Sequence, residues 1–200
     1  MPDTIKEHSN GWQFGMAKTI TFIVTKDCQL ACKYCYLVGK NSKERMSWDV
    51  AKAAVDYILD REDEFREGSV IWDFIGGEPF LEIELIDKIC DYIKTELYRK
   101  DHHWFDSYRF SFSTNGINYH EKKVQYFIDK NKTHLSIGLT IDGTEIKHDL
   151  NRVYKNSGKG SYRDVVKNIP LWLSQFPEAS TKVTISSPDI PYIKESVLHL

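Results

Sequence analysis

The feature that most constrains the fold is a regular alternation of short extended runs with amphipathic stretches of helix length. Candidate strands lie at 19–25, 70–75, 108–116, 135–143 and 181–187. Candidate helices begin after Ser47, follow the second strand, and occupy positions near 121–130 and 162–176. Strands that are joined through helices pair in parallel with right-handed crossovers. The sequence therefore predicts an α/β fold with five βα units and parallel strands.

The distribution of side chains along the strands distinguishes a barrel from an open sheet. In the third strand Tyr108, Phe110 and Phe112 share one face, and Arg109, Ser111 and Ser113 share the other. The fourth strand repeats this division between bulky and small residues. A doubly wound sheet needs apolar residues on both faces, and a closed barrel is usually filled by branched side chains. One bulky face and one small, polar face predict a partial barrel with a cavity in its lumen.

Composition excludes several classes of protein. The chain has 200 residues, of which 41% are hydrophobic and 13% aromatic, which is enough for a packed core and excludes intrinsic disorder. A formal net charge of -2 argues against a nucleic-acid binder or a binder of anionic membranes. No apolar run approaches the ~20 residues of a membrane span, and the polar N-terminus lacks a secretory signal. We expect a soluble, cytoplasmic protein.

The ends of the chain suggest a simple domain organisation. Residues 1–18 are interpreted as an N-terminal extension and residues 19–200 as one core domain. The last ten residues, PYIKESVLHL, look like the start of a helix with no cap, glycine or polar tail after it. We expect the chain to be the N-terminal part of a longer protein, with a further barrel unit and a second domain after Leu200.

The cysteines carry the strongest chemical signal. Cys28, Cys32 and Cys35 follow the first strand within eight residues, so their thiolates can converge on one soft metal centre. A tetrahedral zinc site needs a fourth protein ligand. Cys90 lies within the second helix on an apolar stripe, where a buried small hydrophobic role is favoured. An iron-sulfur cluster on three cysteines instead leaves one iron open to an external ligand. The spacing favours a cluster and leaves zinc open.

Taken together, the motifs resemble those of the radical S-adenosylmethionine (SAM) superfamily. The CxxxCxYC segment at 28–35 is similar to the superfamily signature, and it is followed by GGEP at 76–79 and STNG at 113–116. TIDG at 140–143, then His148-Asp149 and Arg152, resembles a pattern of the branch that modifies peptides and sulfatases. That branch includes the anaerobic sulfatase-maturating enzymes and often carries a C-terminal SPASM domain. The resemblance covers roughly residues 19–190.

The resemblance implies a fold, two cofactors and a reaction. The fold is a partial (β/α)6 TIM-like barrel. Cys28, Cys32 and Cys35 hold a [4Fe-4S] cluster that reductively cleaves SAM to a 5'-deoxyadenosyl radical, which abstracts hydrogen from a peptide or protein side chain. Auxiliary Fe-S clusters are expected after Leu200, and a flavodoxin- or ferredoxin-like protein is expected to donate the electron.

The resemblance also assigns SAM contacts, and its motifs fall at the carboxyl ends of strands, where barrel active sites are built. Gly76, Gly77 and Glu78 match the segment that contacts the methionine amino group, and the absence of side chains at the glycines lets a ligand approach the backbone. The other implied contacts are Tyr34 beside the adenine, Ser113 and Asn115, Thr140 and Asp142, and Arg152 on the carboxylate. We expect the substrate-side acid or base after Leu200.

Two alternative functions remain open at this stage. One is a radical SAM enzyme that acts on a small molecule or on RNA, although the lack of a basic patch makes RNA a poor candidate. The other is a zinc-binding interaction module, which leaves GGEP, STNG and Arg152 unexplained. The loop KNSGK at 155–159 lacks the spacing of a phosphate-binding loop and is interpreted as a connection only.

Overall fold

The computed structural model describes residues 16–200, so most of the predicted N-terminal extension, residues 1–18, lies outside the described residues. Four parallel strands form one sheet in the order β1-β2-β3-β4. Their bounds are β1 Lys18–Thr25, β2 Val70–Gly76, β3 Tyr108–Thr114 and β4 Leu135–Leu139. Because all four strands run parallel, every strand end that carries a predicted motif reaches the same edge of the sheet.

Helices connect the strands and continue along the chain after β4. Their bounds are α1 Trp48–Leu59, α2 Ile83–Arg99, α3 Lys122–Asn131, α4 Glu145–Asn151, α5 Tyr162–Val166, α6 Ile169–Gln175 and α7 Ile193–His199. Short 3-10 helices lie at Pro79–Glu82, Lys132–His134 and Ser187–Tyr192. Ser47 caps α1 as predicted, because its side chain accepts a hydrogen bond from the Val50 amide. No helix among residues 16–200 is both long and apolar enough to cross a bilayer.

The core lies between the bulky face of the sheet and helices α1, α2 and α3. Phe74 stacks on Phe22 and on Phe112, with ring centroids 5.5 and 5.2 Å apart. These aromatic residues of three neighbouring strands are at most 2% exposed. Cys90 is fully buried in the same core, which confirms its interpretation as a small hydrophobic residue. Because this face of the sheet is buried, a binding site can only lie on the opposite face or at the carboxyl ends of the strands.

The opposite face of the sheet is polar and partly open. Arg109, Ser111 and Ser113 alternate with the buried aromatics of β3, and Ser136 and Gly138 alternate with the buried aliphatic residues of β4. A cavity of about 580 Å³ lies against these small side chains and the segment 175–182. The prediction of a parallel α/β partial barrel with a polar lumen is confirmed.

The fifth strand is shorter than predicted. Segment 181–187 contributes one parallel bridge, between Thr140 and Lys182. The Thr181 hydroxyl donates to the Leu139 carbonyl (2.8 Å) and accepts from the Ile141 amide (3.3 Å). The Lys182 amide still pairs with the Leu139 carbonyl (3.1 Å), but a side chain takes the Ile141 amide, which a longer fifth strand would pair with its backbone.

The predicted helix at 162–176 is divided in the structure. α5 ends at Val166 and α6 begins at Ile169, with a proline in the first turn of α6. Proline has no amide hydrogen and disfavours helical geometry in the residue before it, so the helix restarts there.

Candidate functional site

The cysteine loop continues from β1 and is held by a distant part of the chain. Its residues pair antiparallel with residues 151–155: the Ala31 amide donates to the Val153 carbonyl (2.8 Å), and the Lys33 amide to the Asn151 carbonyl (3.1 Å). Tyr154 forms an antiparallel β-bridge with Leu30, and the Lys155 amide donates to the Gln29 carbonyl at 2.9 Å. The pairing anchors the loop that carries Cys28, Cys32 and Cys35 beside the carboxyl ends of the strands.

The two glycines of GGEP are required by the packing of this loop. The Gly77 amide donates to the Thr25 carbonyl at 2.8 Å. A Cβ on Gly77 would lie 2.1 Å from the Asp27 carbonyl oxygen, and one on Gly76 would lie 2.3 Å from the Thr25 oxygen. Gly76 also has a φ of 153°, which other residues rarely adopt. The missing side chains therefore make room first for the cysteine loop, and both glycines still line the cavity beyond it.

Glu78 connects GGEP to STNG from inside the protein. It is 1% exposed, and its carboxylate accepts hydrogen bonds from the Thr114 hydroxyl (2.6 Å), the Asn115 amide (2.8 Å) and the Phe80 amide (3.1 Å). Burial raises the pKa of this carboxyl above its usual range. With its oxygens used in this way Glu78 positions the end of β3, and a direct contact to SAM stays a prediction.

Tyr34, Asp142 and Arg152 form one network. The Tyr34 hydroxyl donates to the Asp142 carboxylate and accepts from Arg152 Nη1 at 2.9 Å. Arg152 is 6% exposed, yet its Nε is buried without a hydrogen-bond partner. Burial works to lower the pKa of Arg152, but the neighbouring Cys32, Tyr34 and Asp142 raise it overall, so the guanidinium stays charged. It therefore presents an unsatisfied N–H donor at the site.

His148 supports this network from behind. Its Nδ1 accepts from the Asp142 amide at 3.3 Å, and its Nε2 lies 3.0 Å from the Ser161 hydroxyl, which donates to the Arg152 carbonyl. Burial, together with the charges of Arg152 and Lys147, lowers the pKa of His148 to about 3. A neutral His148 thus links the end of the TIDG segment to the backbone of Arg152.

A cavity of about 380 Å³ brings most of the predicted residues together. It is lined by Cys28, Cys32, Cys35, Tyr34, Gly76, Gly77, Ser113, Asn115, Thr140 and Arg152. Glu78 and Asp142 lie behind this wall as supports. The volume is within the usual range of small-molecule sites, about 300–1,000 Å³. Ser113 and Lys182 line both this cavity and the larger lumenal one.

The cysteines differ in their surroundings. Cys28 is 9% exposed, and burial, reinforced by the charge of Glu78, raises the pKa of its thiol to about 12. Burial also raises the pKa of Cys32. A metal ligand must be a thiolate, so binding of a cationic centre here releases protons.

Several site residues escaped the sequence analysis. Asp73 and Lys182 line the cofactor-sized cavity from the lumen side, and burial raises the pKa of Asp73. Lys40 donates from Nζ to the Cys32 carbonyl at 2.6 Å. Lys155, in the loop interpreted as a connection only, forms an ion pair with Asp27 at 2.5 Å, beside Cys28. The one available signal was Asp73, a carboxylate within the otherwise apolar strand VIWDFI.

Comparison with known proteins decides the family. The model of the Radical SAM superfamily matches residues 22–189. This chain belongs to the radical SAM superfamily. It is 32% identical over 183 residues to the uncharacterized protein MJ0907 of Methanocaldococcus jannaschii, which covers 92% of this chain and 58% of that protein. It is also 24% identical over 166 residues to the radical SAM cyclopropyl synthase TigE of Paramaledivibacter caminithermalis, covering 77% and 32% of the two chains.

Solved structures share the fold of this radical SAM chain. AnSMEcpe with bound AdoMet and the Kp18Cys peptide superposes with a TM-score of 0.75 at 22% identity, covering 92% of this chain and 48% of that one. SuiB of Streptococcus suis bound to its precursor peptide SuiA gives a TM-score of 0.60 at 12% identity, covering 100% and 42%. The chain thus spans about half the length of these neighbours.

The cofactors of the superfamily are a [4Fe-4S] cluster and SAM, and the site fits both. Three cysteine side chains open on one cavity, which suits a cluster that keeps one iron for an external ligand. The buried, unpartnered Arg152 Nε offers a charged donor that suits a carboxylate. The zinc-module alternative accounts for neither the superfamily match nor this arginine.

Proposed function

We propose that this chain is the cofactor-binding part of a radical SAM enzyme that modifies a peptide or protein side chain. The observation that carries the cofactor assignment is the single cavity shared by Cys28, Cys32, Cys35 and the buried guanidinium of Arg152. The peptide assignment is supported by the fold shared with anSMEcpe and SuiB, whose structures contain peptides. The TIDG…HD…Arg152 pattern supports it further.

In this proposal Cys28, Cys32 and Cys35 hold the cluster, and the other residues orient SAM. The cluster and SAM supply a 5'-deoxyadenosyl radical that abstracts hydrogen, which is chemistry of the cofactors and not of the protein. Arg152 binds the SAM carboxylate, and Tyr34 keeps Arg152 in place while forming the wall beside the adenine. Thr140 and Ser113 offer hydroxyl groups on the lumen side, and Gly77 offers its carbonyl to the amino group.

The lumen holds charged groups suited to a polar substrate. Asp73 lies on β2 in register with Thr21 of β1 and Ser111 of β3, and it lines the cofactor-sized cavity. Asp73 and Lys182 line one cavity, and the charge of Lys182 acts to lower the pKa that burial raises. A carboxylate and an ammonium in one lumen suit the amide groups and side chains of a peptide.

We propose further that an acidic one-electron carrier, such as a flavodoxin or ferredoxin, docks on the cysteine loop. Lys33, Lys43 and Arg45 are exposed around the loop, whereas its acidic neighbours Asp27 and Glu44 are paired with lysines. Positive charge near the cluster steers an acidic partner. We expect the rate of cluster reduction by flavodoxin to fall with ionic strength, and a rate independent of salt would contradict this surface.

The cofactor assignment is tested by iron and sulfide content. The full-length protein is purified and reconstituted without oxygen beside a variant in which Cys28, Cys32 and Cys35 are replaced by alanine. We expect the variant to lose about four irons and four sulfides relative to the wild type. Additional iron that remains in the variant indicates auxiliary clusters. Zinc without iron in the wild type would overturn the assignment.

The peptide assignment is tested separately. Formation of 5'-deoxyadenosine by the holoenzyme is measured with a heat-treated extract of the native host, half of which has been digested with a protease that is then inactivated. We expect stimulation by the undigested half that disappears after digestion. Stimulation that survives digestion and passes a small-molecule filter supports the small-molecule alternative instead.

A further inference from the structure

The sulfur of Cys28 receives two N–H donors. The Leu30 amide lies 3.3 Å from Cys28 Sγ, and Asn115 Nδ2 lies 3.7 Å from it. Both contacts are buried. The Leu30 contact is local in sequence, but the Asn115 contact joins the end of β3 to the cysteine loop across 87 residues. Within residues 16–200, Cys32 and Cys35 have no comparable contact to sulfur, so Cys28 differs from the other two cysteines.

The amide of Asn115 is held in the orientation that points its N–H groups at the sulfur. Its Oδ1 accepts from the Ile117 backbone amide at 2.9 Å, a contact that only the oxygen can make. Its Nδ2 also donates to Gln29 Oε1 at 3.1 Å, and Gln29 Nε2 donates in turn to Asn118 Oδ1 at 2.8 Å. Its backbone amide is fixed on Glu78. Asn118 and Gln29 thus orient the Asn115 side chain, and Asn115 in turn donates an N–H group to Cys28 Sγ.

We propose that Asn115 is a positioning residue that raises the reduction potential of the cluster through its N–H donation to Cys28 Sγ. The inference rests on Cys28 being a cluster ligand, as proposed above. Reduction adds negative charge that is shared with the cysteine sulfurs, and a donor aimed at a sulfur stabilises the more negative state. Asn115 also lines the cofactor-sized cavity, and the direct SAM contact that its motif implies stays a prediction beside this role.

The experiment is a redox titration of the reconstituted full-length protein without SAM, followed by EPR of the reduced cluster. Asn115→Leu removes the donor at similar size, and Asn115→Asp keeps the acceptor for Ile117 but replaces the donor with negative charge. We expect Asn115→Leu to lower the equilibrium constant for one-electron reduction roughly tenfold, which is about 59 mV. Asn115→Asp is expected to shift it further in the same direction. Ser136→Ala, which changes the polar face of β4 without touching a sulfur, is the control and is expected to keep the wild-type potential.

A second variant separates positioning from folding. Gln29→Leu leaves the Asn115 amide and its contact to Ile117 in place but removes one of the groups that orient it, so we expect a smaller shift of the same sign. Full iron content with an unchanged potential in Asn115→Leu overturns the inference. If that variant fails to retain iron, an unchanged potential in iron-replete Gln29→Leu overturns it. A wild-type protein without iron overturns the cluster assignment itself, which the iron content reveals independently.

Discussion

Arg152 shows how one residue acquires its role from its surroundings. By sequence it is one arginine among many, placed after a His-Asp pair. In the structure its Nη1 is used by Tyr34, its backbone carbonyl is held by Ser161, and its Nε has no partner. A buried charged donor without a partner is costly, and a ligand carboxylate would remove that cost.

Replacing Arg152 with lysine should separate charge from geometry. Lysine keeps the positive charge but loses the planar fork that binds a carboxylate through two N–H groups. We expect Arg152→Lys to weaken SAM binding to the reconstituted protein by about 2 kcal/mol, roughly thirtyfold in Kd. Equilibrium binding of SAM measures this, with Arg163→Lys, an exposed ion-paired arginine, as the control. Equal affinities of the two variants for SAM would show that Arg152 does not bind the SAM carboxylate.

At the scale of elements, the end of β2 is built to receive the cysteine loop. Gly77 lies so close to the loop backbone that any side chain collides with it, whereas an added Cβ on Gly68 meets nothing within 4 Å. Gly77 lies inside the contact between strand and loop and Gly68 lies outside it, so substitution of Gly68 is a control for substitution of Gly77.

We expect Gly77→Ala to displace the cysteine loop and to destabilise the protein by roughly 3 kcal/mol, the upper part of the usual range for overpacking. The iron retained after reconstitution should fall with it, because the loop carries the ligands. Gly68→Ala should leave both quantities near wild type. Urea unfolding and iron analysis of the two variants measure the effect, and full iron retention in Gly77→Ala would contradict the packing argument.

Helix α4 contributes His148, a titratable residue that supports the site through hydrogen bonds to Asp142 and Ser161. His148 has a pKa of about 3 in the folded protein against 6.5 for an ordinary histidine. Between these values the unfolded chain binds a proton that the folded chain excludes, so stability is lost as pH falls below about 6.5. Because of this residue, the free energy of unfolding of the wild type should fall by about 2 kcal/mol when the pH is lowered from 7 to 5.

His148→Gln should therefore be less stable than the wild type at pH 7 but lose less stability on acidification. Urea unfolding at pH 7 and pH 5 gives the two differences. His120→Gln, at an exposed position, is the control and should keep the wild-type dependence on pH. If His148→Gln shows the same acid loss as the wild type, the histidine is not held neutral in the folded state.

At the scale of the whole molecule, the site is closed by a contact between distant parts of the chain. The cysteine loop pairs with residues 151–155, and the ion pair between Lys155 and Asp27 extends the same contact. Neither segment has a complete set of backbone partners without the other.

Hydrogen exchange should therefore treat the two segments as one unit. The amides of Ala31, Lys33 and Lys155 donate across this contact. We expect them to exchange with similar protection factors and to slow together when the cluster is reconstituted, because cofactor binding stabilises only the closed form. Amides in the middle of α2 should change little and serve as the control. Protection that rises in the loop alone would show that the segments open independently.

Much of this architecture was predictable because it depends on local patterns. The alternation of Tyr108, Phe110 and Phe112 with small polar residues identified the core face and the lumen, and the structure confirms both. The predicted fifth strand at 181–187 was wrong in extent, because the Thr181 hydroxyl takes the Ile141 amide that backbone pairing beyond the Thr140–Lys182 bridge would use. No periodicity in 181–187 indicates that a side chain will replace backbone pairing.

The sequence by itself determined the parallel α/β fold, the strand edge that carries the site and the family, because hydrophobic period and motif spacing are properties of short segments. Only the tertiary structure decided the tasks of individual residues. It made Glu78 and His148 internal supports, directed Asn115 to Cys28, and left one nitrogen of Arg152 without a partner. Hydrogen-bond partners far apart in sequence are chosen by packing, and no local pattern records that choice.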